Sequence, residues 1–551
     1  MKNHYTGTHY IKTVVLLATA LFIFQFLKAQ SSFRKVCDGT EFDYGNCVIQ
    51  TPDNGICIVG STNSYGSGNY DIYVIRLDSN AQLQWSKTFD WGKNEYGLSA
   101  TVTSDKGIAI TGYSNISKFS DSAWDCFVLK LDARGNAIWC KSIAAPKEDN
   151  ANGITQNARG DLIIAGSTRS YGKGANDIYL AKLTSAGELL WTKTLGTPYE
   201  DIAYSITLTK NGFAIAGAAD GFMPFLAKLD TDGNILWNKI ITQEGSSIGS
   251  FNSVAQTNDN GFVATGFIKT NNRGYDQLIV RMAAAGTVEW GRVSGNEGDD
   301  KGNSVVEDKK GNLILTGYYD YARVGFAQSL DVAKINHAGK LLWNKTITEQ
   351  FEAIGSSIIS SAKGGYVATG SVWQTIDGYL YKPDIYLAKF DTEGGICGAA
   401  VTQNNMQNFI PYIPSLNFNQ SQGGNLISNI VKVYNGGFMQ DHCILTTLSQ
   451  HSEDQLNTDK RKVPSNAINA AIAPNPVKNN DLGIHFNGTN ATSLLLNIVS
   501  IEGRVMMTKK LNLPAQTWST NINIAALPAG VYVLKLSDNT VSQTIKFIKD
   551  N

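Results

Sequence analysis

The sequence predicts an all-β protein whose main domain is a seven-bladed β-propeller and whose last part is a second, small β domain. Two observations predict the propeller. Tryptophan recurs at spacings of 46 to 54 residues, at positions 85, 139, 191, 237, 290 and 343. Around each tryptophan the chain forms short alternating stretches separated by glycine turns. A period of about 50 residues filled with short strands is typical of repeat folds whose units bury their faces against neighbours.

Each repeat is predicted to contain four strands. The first two flank a tight turn, as in residues 46–60 with the turn Asp53-Asn54-Gly55, where glycine supplies the positive φ of a short hairpin. The third strand opens near an acidic residue such as Asp71, and the fourth carries the tryptophan. The first hairpin recurs at 98–112, 151–166, 203–217, 252–266, 303–317 and 356–370.

The repeat count indicates that the two ends of this domain meet. Seven third strands face only six strands that carry tryptophan, and after Asp391 the chain leaves the pattern. Residues 33–35 (Phe-Arg-Lys) align with residues 85–87 (Trp-Ser-Lys). We therefore expect strand 33–38 to complete the last blade of a propeller spanning residues 30–398, which removes its free sheet edge. A solenoid, the alternative, requires distinct capping units instead.

The N-terminal residues have the layout of a signal peptide. Lysine and histidine precede a 15-residue apolar run, 13–27, and Lys28-Ala29 follows it, so we expect residues 1–29 to be removed on export. No later segment has the ~20 apolar residues of a transmembrane helix. With 47 basic and 47 acidic residues, the chain also lacks the basic excess typical of proteins that bind nucleic acid.

The seven cysteines suggest disulfides in an oxidising compartment. Cys126 and Cys140 lie on the two strands of one predicted hairpin, so they are a candidate pair, and two buried thiols are the alternative. Cys397 and Cys443 are a second candidate pair. They bracket part of residues 399–470, whose asparagine-, glutamine- and serine-rich composition predicts a polar linker.

The last domain, 471–551, carries the motifs Pro474-Asn475-Pro476, a turn at Gly503, the sequence Leu-Pro-Ala-Gly530-Val-Tyr532 and a basic end. In this order they resemble the type A C-terminal sorting domain of the type IX secretion system of Bacteroidetes-type bacteria. The resemblance implies an Ig-like β-sandwich that engages the type IX machinery. It also implies that the protein is secreted or attached to the outer-membrane surface. The propeller resembles Trp-containing propeller repeats of secreted proteins from the same bacteria, which carry no catalytic residues to transfer.

Acidic residues recur in every loop between a fourth strand and the next first strand. Such loops are expected on one face of a propeller, so the acids would surround its central mouth. Clustered carboxylates are the ligands that calcium prefers. The candidate metal ligands are Glu95, Asp149, Asp201 and Asp299. The alternative is that these acids only cap turns and keep the face hydrated.

Aromatic residues are frequent in the loops between second and third strands on the same predicted face. Exposed rings offer rigid contact area for sugars or peptides. The alternative is that they pack over their own blades. The candidate binding residues are Trp124, Tyr318, Tyr319, Tyr321, Trp373, Tyr379 and Tyr381.

Catalytic signatures are sparse in this sequence. The HExxH and P-loop motifs are missing, and His337 is the single histidine within 30–398. The hypothesis favoured by the sequence is therefore an exported, non-enzymatic propeller that binds an extracellular glycan or protein. The first alternative is a glycan-degrading enzyme that uses carboxylates at the central mouth, since that reaction requires only two acids. The second is a structural surface component.

Overall fold

The structure is a computed structural model of the 551-residue chain. It describes residues 32–37, 39–67, 70–115, 124–242, 248–269, 274–320, 328–347, 352–376 and 380–397, short strands between 401 and 441, and parts of 470–549. These residues form strands and turns and contain no helix. The chain divides into two compact units, Met1–Thr447 and Leu448–Asn551.

The first unit contains seven antiparallel sheets, each with four long strands. We number the sheets in chain order. Sheet 1 contains Asp43–Gln50, Ile56–Thr62, Asp71–Leu77 and Leu83–Asp90. Sheet 2 contains Glu95–Val102, Ile108–Ser114, Asp125–Leu131 and Ala137–Ala144. Sheet 3 contains Asp149–Gln156, Leu162–Thr168, Asp177–Leu183 and Leu189–Gly196. Sheet 4 contains Ile202–Thr209, Gly212–Ala219, Met223–Leu229 and Ile235–Ile240.

The remaining sheets repeat the same order of strands. Sheet 5 contains Gly249–Gln256, Phe262–Lys269, Tyr275–Met282 and Val288–Ser294. Sheet 6 contains Lys301–Glu307, Leu313–Asp320, Gln328–Ile335 and Leu341–Ile347. Sheet 7 contains Ala353–Ser360, Tyr366–Ile376 and Leu380–Phe390, and its fourth strand is Phe33–Cys37, which pairs antiparallel with Leu380–Phe390.

The succession of sheets is circular. The first strand of each sheet contacts the first strand of the next, and the first strand of sheet 7 contacts that of sheet 1. The middle strands of sheets 1 and 3 are buried along their whole length, because both of their faces pack against neighbouring sheets. This face-to-face packing of short antiparallel sheets is the architecture of a β-propeller.

The repeated tryptophans are packing residues between sheets. The Trp237 indole lies on Gly286 in the next sheet, where an added methyl group would come within 2.9 Å of the ring. Its Nε1–H donates to the Ala284 carbonyl at 3.3 Å. Gly286 has φ 81°, so glycine is required both by the turn and by the indole above it. Phe33 takes the tryptophan position in sheet 7, with the Lys35 ammonium 5.8 Å from its ring.

The segment predicted to be a polar linker contains strands in its first part. Six short strands, here called the belt, each add a fifth strand to the outer edge of one sheet, and they pair with sheets 6, 5, 3, 2, 1 and 7 in that order. The polar composition of this segment did not predict these strands, because a strand that completes an existing sheet edge gains backbone hydrogen bonds and needs no core of its own. The belt strands are Val401–Thr402, Met406–Phe409, Asn419–Ser421, Asn425–Ser428, Lys432–Asn435 and Met439–Asp441.

The predicted disulfide between Cys126 and Cys140 is wrong, because neither cysteine is in a disulfide. Cys126 is opposite Ile143 and Cys140 is opposite Leu129, so an odd number of positions separates them along the hairpin. Their side chains therefore lie on opposite faces of sheet 2 and pack into different cores. Cys397 is disulfide-bonded. Its candidate partner, Cys443, lies outside the described residues.

The second unit is a β-sandwich with one core. One sheet contains Ala470–Ile472, Asp481–Phe486 and Trp518–Asn523, and the other contains Val505–Asn512, Ser493–Ser500, Gly530–Ser537 and Ser542–Lys549. Ile484 and Ile522 from the first sheet pack with Leu496 and Leu534 from the second. The buried Lys549 Nζ donates to the Ile524 carbonyl at 3.0 Å and to Leu527, and so fixes the turn between the sheets.

Candidate functional site

The junctions between successive sheets bring together carboxylates that are distant in the sequence. An acid opens the third strand of one sheet, and a second acid opens the first strand of the next. Such pairs are Asp71 with Glu95 and Asp276 with Asp300. Burial, and then the neighbouring Asp71 or Asp276, raises the pKa of Glu95 and of Asp300. The first-strand acid is placed by its own backbone, since the Glu95 N–H donates to the Tyr70 carbonyl at 2.6 Å.

The junction between sheets 1 and 2 holds a third acid. Asp71, Asp90 and Glu95 are fully buried, and one carboxylate oxygen of each lies within 4.8 Å of the others. This is the single group of metal-ligating side chains found among the residues that the structure describes. Burial, with Asp90 and Asp71 beside it, raises the pKa of Glu95 to about 8, and burial raises that of Asp71 to about 7.

The four candidate metal ligands from the sequence do not meet in the structure. Glu95 joins Asp71 and Asp90, whereas Asp149, Asp201 and Asp299 belong to other junctions. Both oxygens of Asp201 accept hydrogen bonds, from Asp220 N–H and from the backbone and hydroxyl of Thr197. The prediction of a ring fails because each acid turns into its own junction, where the strand ends supply N–H donors.

Five aromatic rings form a continuous row across sheets 1 and 2, here called the aromatic row. The centroids of Tyr44 and Tyr70 are 6.2 Å apart, those of Tyr70 and Tyr96 are 5.0 Å apart, and those of Tyr96 and Tyr113 are 5.0 Å apart. Trp124 ends the row, 5.2 Å from Tyr113 at 87°. All five side chains are half-buried, so each ring keeps part of its surface in water.

An open pocket of about 350 Å³ lies at the Trp124 end of the aromatic row. Two classes of group line it: the rings of Tyr96, Tyr113 and Trp124, and the polar side chains of Glu148 and Asn150. Glu148 is held by Arg169, whose Nη1 donates to Oε2 at 2.7 Å. The pocket therefore offers flat apolar surface beside planar hydrogen-bonding groups, the combination that binds polar, ring-shaped ligands.

The other candidate binding residues do not form such a surface. Tyr319 is 1% exposed and its hydroxyl bonds to Ser294 Oγ, so this prediction is wrong: the side chain points into the core. Tyr318 and Trp373 are half-buried, on sheets 6 and 7. Tyr381 lies in Leu380–Phe390, opposite Thr375. Tyr321 and Tyr379 lie outside the described residues.

Sequence reasoning found Trp124 and missed Tyr44, Tyr96 and Tyr113. The search was confined to loops, whereas these three residues lie on strands, near their ends on the same face. A register comparison between repeats contains the missing signal. Tyr44 and Tyr96 each follow the acid that begins a first strand, and Lys301 likewise follows Asp300 in sheet 6, where its ammonium covers Phe267 at 4.5 Å.

Two sequence families match parts of the chain. A family described as a secretion system C-terminal sorting domain matches residues 471–550. The C-terminal domain is a type IX sorting domain. The protein is thus exported by that system to the cell surface or the medium. A family described as a domain of unknown function (DUF5122) beta-propeller matches residues 51–83. Of the predicted sorting residues, Pro474, Asn475, Pro476 and Gly503 lie outside the described residues; Gly530 begins a strand, and Tyr532 is 5% exposed.

Relatives over longer stretches are distant. The chain is 24% identical over 217 residues to the regulatory protein FlaEY of Caulobacter vibrioides, a match that covers 35% of this chain and 22% of that protein. Two solved structures are similar to about two thirds of the chain. Sqt1 from Chaetomium thermophilum has a TM-score of 0.37 at 12% identity, covering 64% of this chain and 87% of Sqt1. A protein of unknown function from Dyadobacter fermentans has a TM-score of 0.35 at 10% identity, covering 65% and 97%.

In the part of the chain that the structure describes, no helix has the length and apolar character needed to cross a membrane.

Proposed function

We propose that the protein is an exported binding protein whose propeller, of seven blades, takes an extracellular glycan on the aromatic row. The observation that carries the proposal is the row itself, with Glu148 and Asn150 at its end. Sugar rings stack on aromatic faces, while carboxylate and amide groups bind their hydroxyls. The proposed bounds are 30–398 for the propeller and 471–551 for the sorting domain.

An Ig-like fold for the sorting domain belongs to the same proposal. The Tyr532 hydroxyl donates to the carbonyl of Pro528, four residues upstream, at 2.7 Å. A tyrosine that bonds back to the backbone a few residues upstream is typical of Ig-like sandwiches. This architecture would present the domain to the secretion machinery as a folded unit.

Binding is favoured over glycan hydrolysis by the lining of the pocket. Of the five residues that line it, Glu148 is the single carboxylate, and its charge is paired with Arg169. Hydrolysis of a glycosidic bond requires a second acid at a fixed distance across the bond. The buried acids of the junctions point into the protein and cannot take that place.

The test is retention of the full chain on a glycan panel. We expect Tyr96→Ala and Trp124→Ala to weaken retention by about tenfold or more, because each removes a stacking face. Tyr199→Ala is the matched control, since Tyr199 is 60% exposed and outside the aromatic row. Retention that is unchanged in both variants would contradict the proposal. Release of oligosaccharides into the supernatant would instead favour the enzyme.

A further inference from the structure

The three-acid junction between sheets 1 and 2 differs from an ordinary acidic patch by its burial. Asp71 begins the third strand of sheet 1, Asp90 ends the fourth, and Glu95 begins the first strand of sheet 2. Each of the three side chains has 0% exposure. The carboxylates therefore converge from three separate strand ends into a space closed off from water.

Each carboxylate has one oxygen held by the protein and one that is bare. Asp71 Oδ2 accepts from Ser67 N–H at 3.1 Å, and Asp90 Oδ1 accepts from Gly92 N–H at 2.5 Å. Glu95 Oε1 accepts from the Ser114 hydroxyl at 3.3 Å. Asp71 Oδ1, Asp90 Oδ2 and Glu95 Oε2 are buried without a hydrogen-bond partner. A buried polar atom without a partner costs about 1–3 kcal/mol.

No basic side chain of the described residues forms an ion pair with these three acids. By contrast, the buried Asp308 has the Lys334 ammonium beside it, at 3.8 Å. Several like charges that share a buried site require a counter-ion or bound protons. A cation would balance the negative charge of the three acids and would contact their bare oxygens.

Few junctions have an acid at the position of Asp90 in the repeat. Asp90 stands five residues after Trp85, and the same position in other repeats is occupied by a small or neutral residue, namely Ala144, Gly196, Thr242 or Gly295. Position 38 is the one other acid at this place in the repeat and lies outside the described residues. Packing of the propeller therefore does not require a carboxylate here, since other junctions form without one.

We propose that Asp71, Asp90 and Glu95 bind a divalent cation, Ca²⁺. The donor set consists of hard carboxylate oxygens, which suits Ca²⁺, whereas Zn²⁺ in proteins is held mainly by cysteine and histidine. Backbone carbonyls and water complete the six to eight ligands that Ca²⁺ takes. The site stands independently of the glycan proposal, because its evidence is the junction and not the aromatic row.

Terbium luminescence tests the site directly in the full chain. Tb³⁺ replaces Ca²⁺ in oxygen sites and emits when a nearby indole transfers energy to it. Trp91 is such an indole, since it is 6% exposed and its Nε1 donates to Ser114 Oγ, the same hydroxyl that contacts Glu95. We expect saturable luminescence that Ca²⁺ displaces, and no displacement by equimolar Mg²⁺.

Asp90→Ala is the decisive variant, because alanine is the natural residue at this position in the next repeat. We expect it to weaken Tb³⁺ binding by at least about tenfold. Asp149→Asn, a buried carboxylate at a junction without the third acid, is the matched control and should bind as the parent does. Glu95→Gln keeps the side-chain shape and serves if Asp90→Ala does not fold. Luminescence that does not saturate in the parent protein, or that is equal in parent, Asp90→Ala and Glu95→Gln, would overturn the site.

Discussion

At the residue scale, aspartate is charged at one position of the repeat and protonated at another. Asp53 lies in an exposed turn, and its carboxylate binds the buried Arg76 at 2.5 Å. Asp331, within the third strand of sheet 6, is wholly buried, and its Oδ1 accepts from Asn344 Nδ2 at 2.7 Å. Burial raises the pKa of Asp331 to about 7, against the hydrogen bonds from Asn344 and its neighbours that lower it. Position in the repeat, not residue type, decides whether an acid is ionised.

The raised pKa of Asp331 predicts a pH-dependent stability. The folded protein keeps this carboxyl protonated up to about pH 7, whereas the unfolded chain releases its proton near pH 4. This contribution to stability is therefore fully present below about pH 4 and is lost as pH rises through about 7. The Asp331→Asn variant has no carboxyl here and should not lose this stability. The free energy of unfolding of the variant minus that of the parent should therefore rise between about pH 4 and pH 7, by roughly a few kcal/mol.

Denaturant unfolding at a series of pH values measures this difference. Asp232→Asn makes the same charge change in an exposed turn and should leave the difference near zero. The groups that act on Asp331 are Asn344, Thr346, Gln277 and the acid Asp300. Because Asp300 also titrates, it is left unchanged in both variants. A difference that falls with pH would contradict the assigned burial of the charge.

At the element scale, the belt explains how the outer edges of the sheets are protected. An exposed fourth strand presents unpaired N–H and C=O groups that invite other chains to pair. Asn425–Ser428 pairs with residues 141–144 of sheet 2, and Lys432–Asn435 pairs with residues 87–90 of sheet 1. The belt starts on sheet 6 and passes the sheets in the reverse of their order in the chain. It ends on sheet 7, the sheet that the chain leaves just before the belt begins.

A disulfide at Cys397 would fasten this belt. The chain has seven cysteines, of which five are in no disulfide in the structure and Cys397 is disulfide-bonded. We expect peptide mapping without reduction to join Cys397 to Cys443. Cys397→Ser should speed proteolysis between residues 399 and 441, since closing a loop of this size contributes about 2–4 kcal/mol. Cys47→Ser changes a free thiol and is the control. Equal digestion of the two variants would show that the disulfide does not hold the belt.

At the scale of the whole molecule, the cation site and the aromatic row share their supports. Tyr70 precedes Asp71 in the chain and Tyr96 follows Glu95, and the Glu95 N–H donates to the Tyr70 carbonyl. A cation bound by Asp71, Asp90 and Glu95 would therefore hold two rings of the row at their stacking distance. Export places this surface outside the cell, where calcium sites of about 10⁻⁴–10⁻³ M affinity are filled.

Chelation should for this reason weaken glycan retention. We expect a chelator to reduce retention of the parent protein by about tenfold and added Ca²⁺ to restore it, because mobile rings lose the advantage of preorganisation. Asp90→Ala should bind weakly in both conditions and show no response to Ca²⁺. Asp149→Asn should respond as the parent does. Retention that is independent of chelator would show that the cation site does not support the aromatic row.

The sequence by itself determined the features that repeat or that act locally. The tryptophan period, the glycine turns and the order of the sorting motifs predicted an all-β repeat protein with an exported destination, because each depends on residues near one another in the chain. The contact of a tryptophan with a turn glycine, as in Trp237–Gly286, recurs from repeat to repeat and follows the repeat pattern of the sequence. The alignment of Phe33 with Trp85, which predicted the strand that completes the last sheet, also follows from this repeat.

Tertiary structure decided everything that depends on which strand ends meet. Asp71, Asp90 and Glu95 are unremarkable among many acids until the junction brings their oxygens within 4.8 Å. Tyr319 and Tyr318 differ by one residue, yet strand alternation buries the first and leaves the second half-exposed. The belt strands carry little sequence pattern, yet their backbones pair with the sheet edges. Long-range pairing and burial are properties of the fold, and a single sequence does not display them.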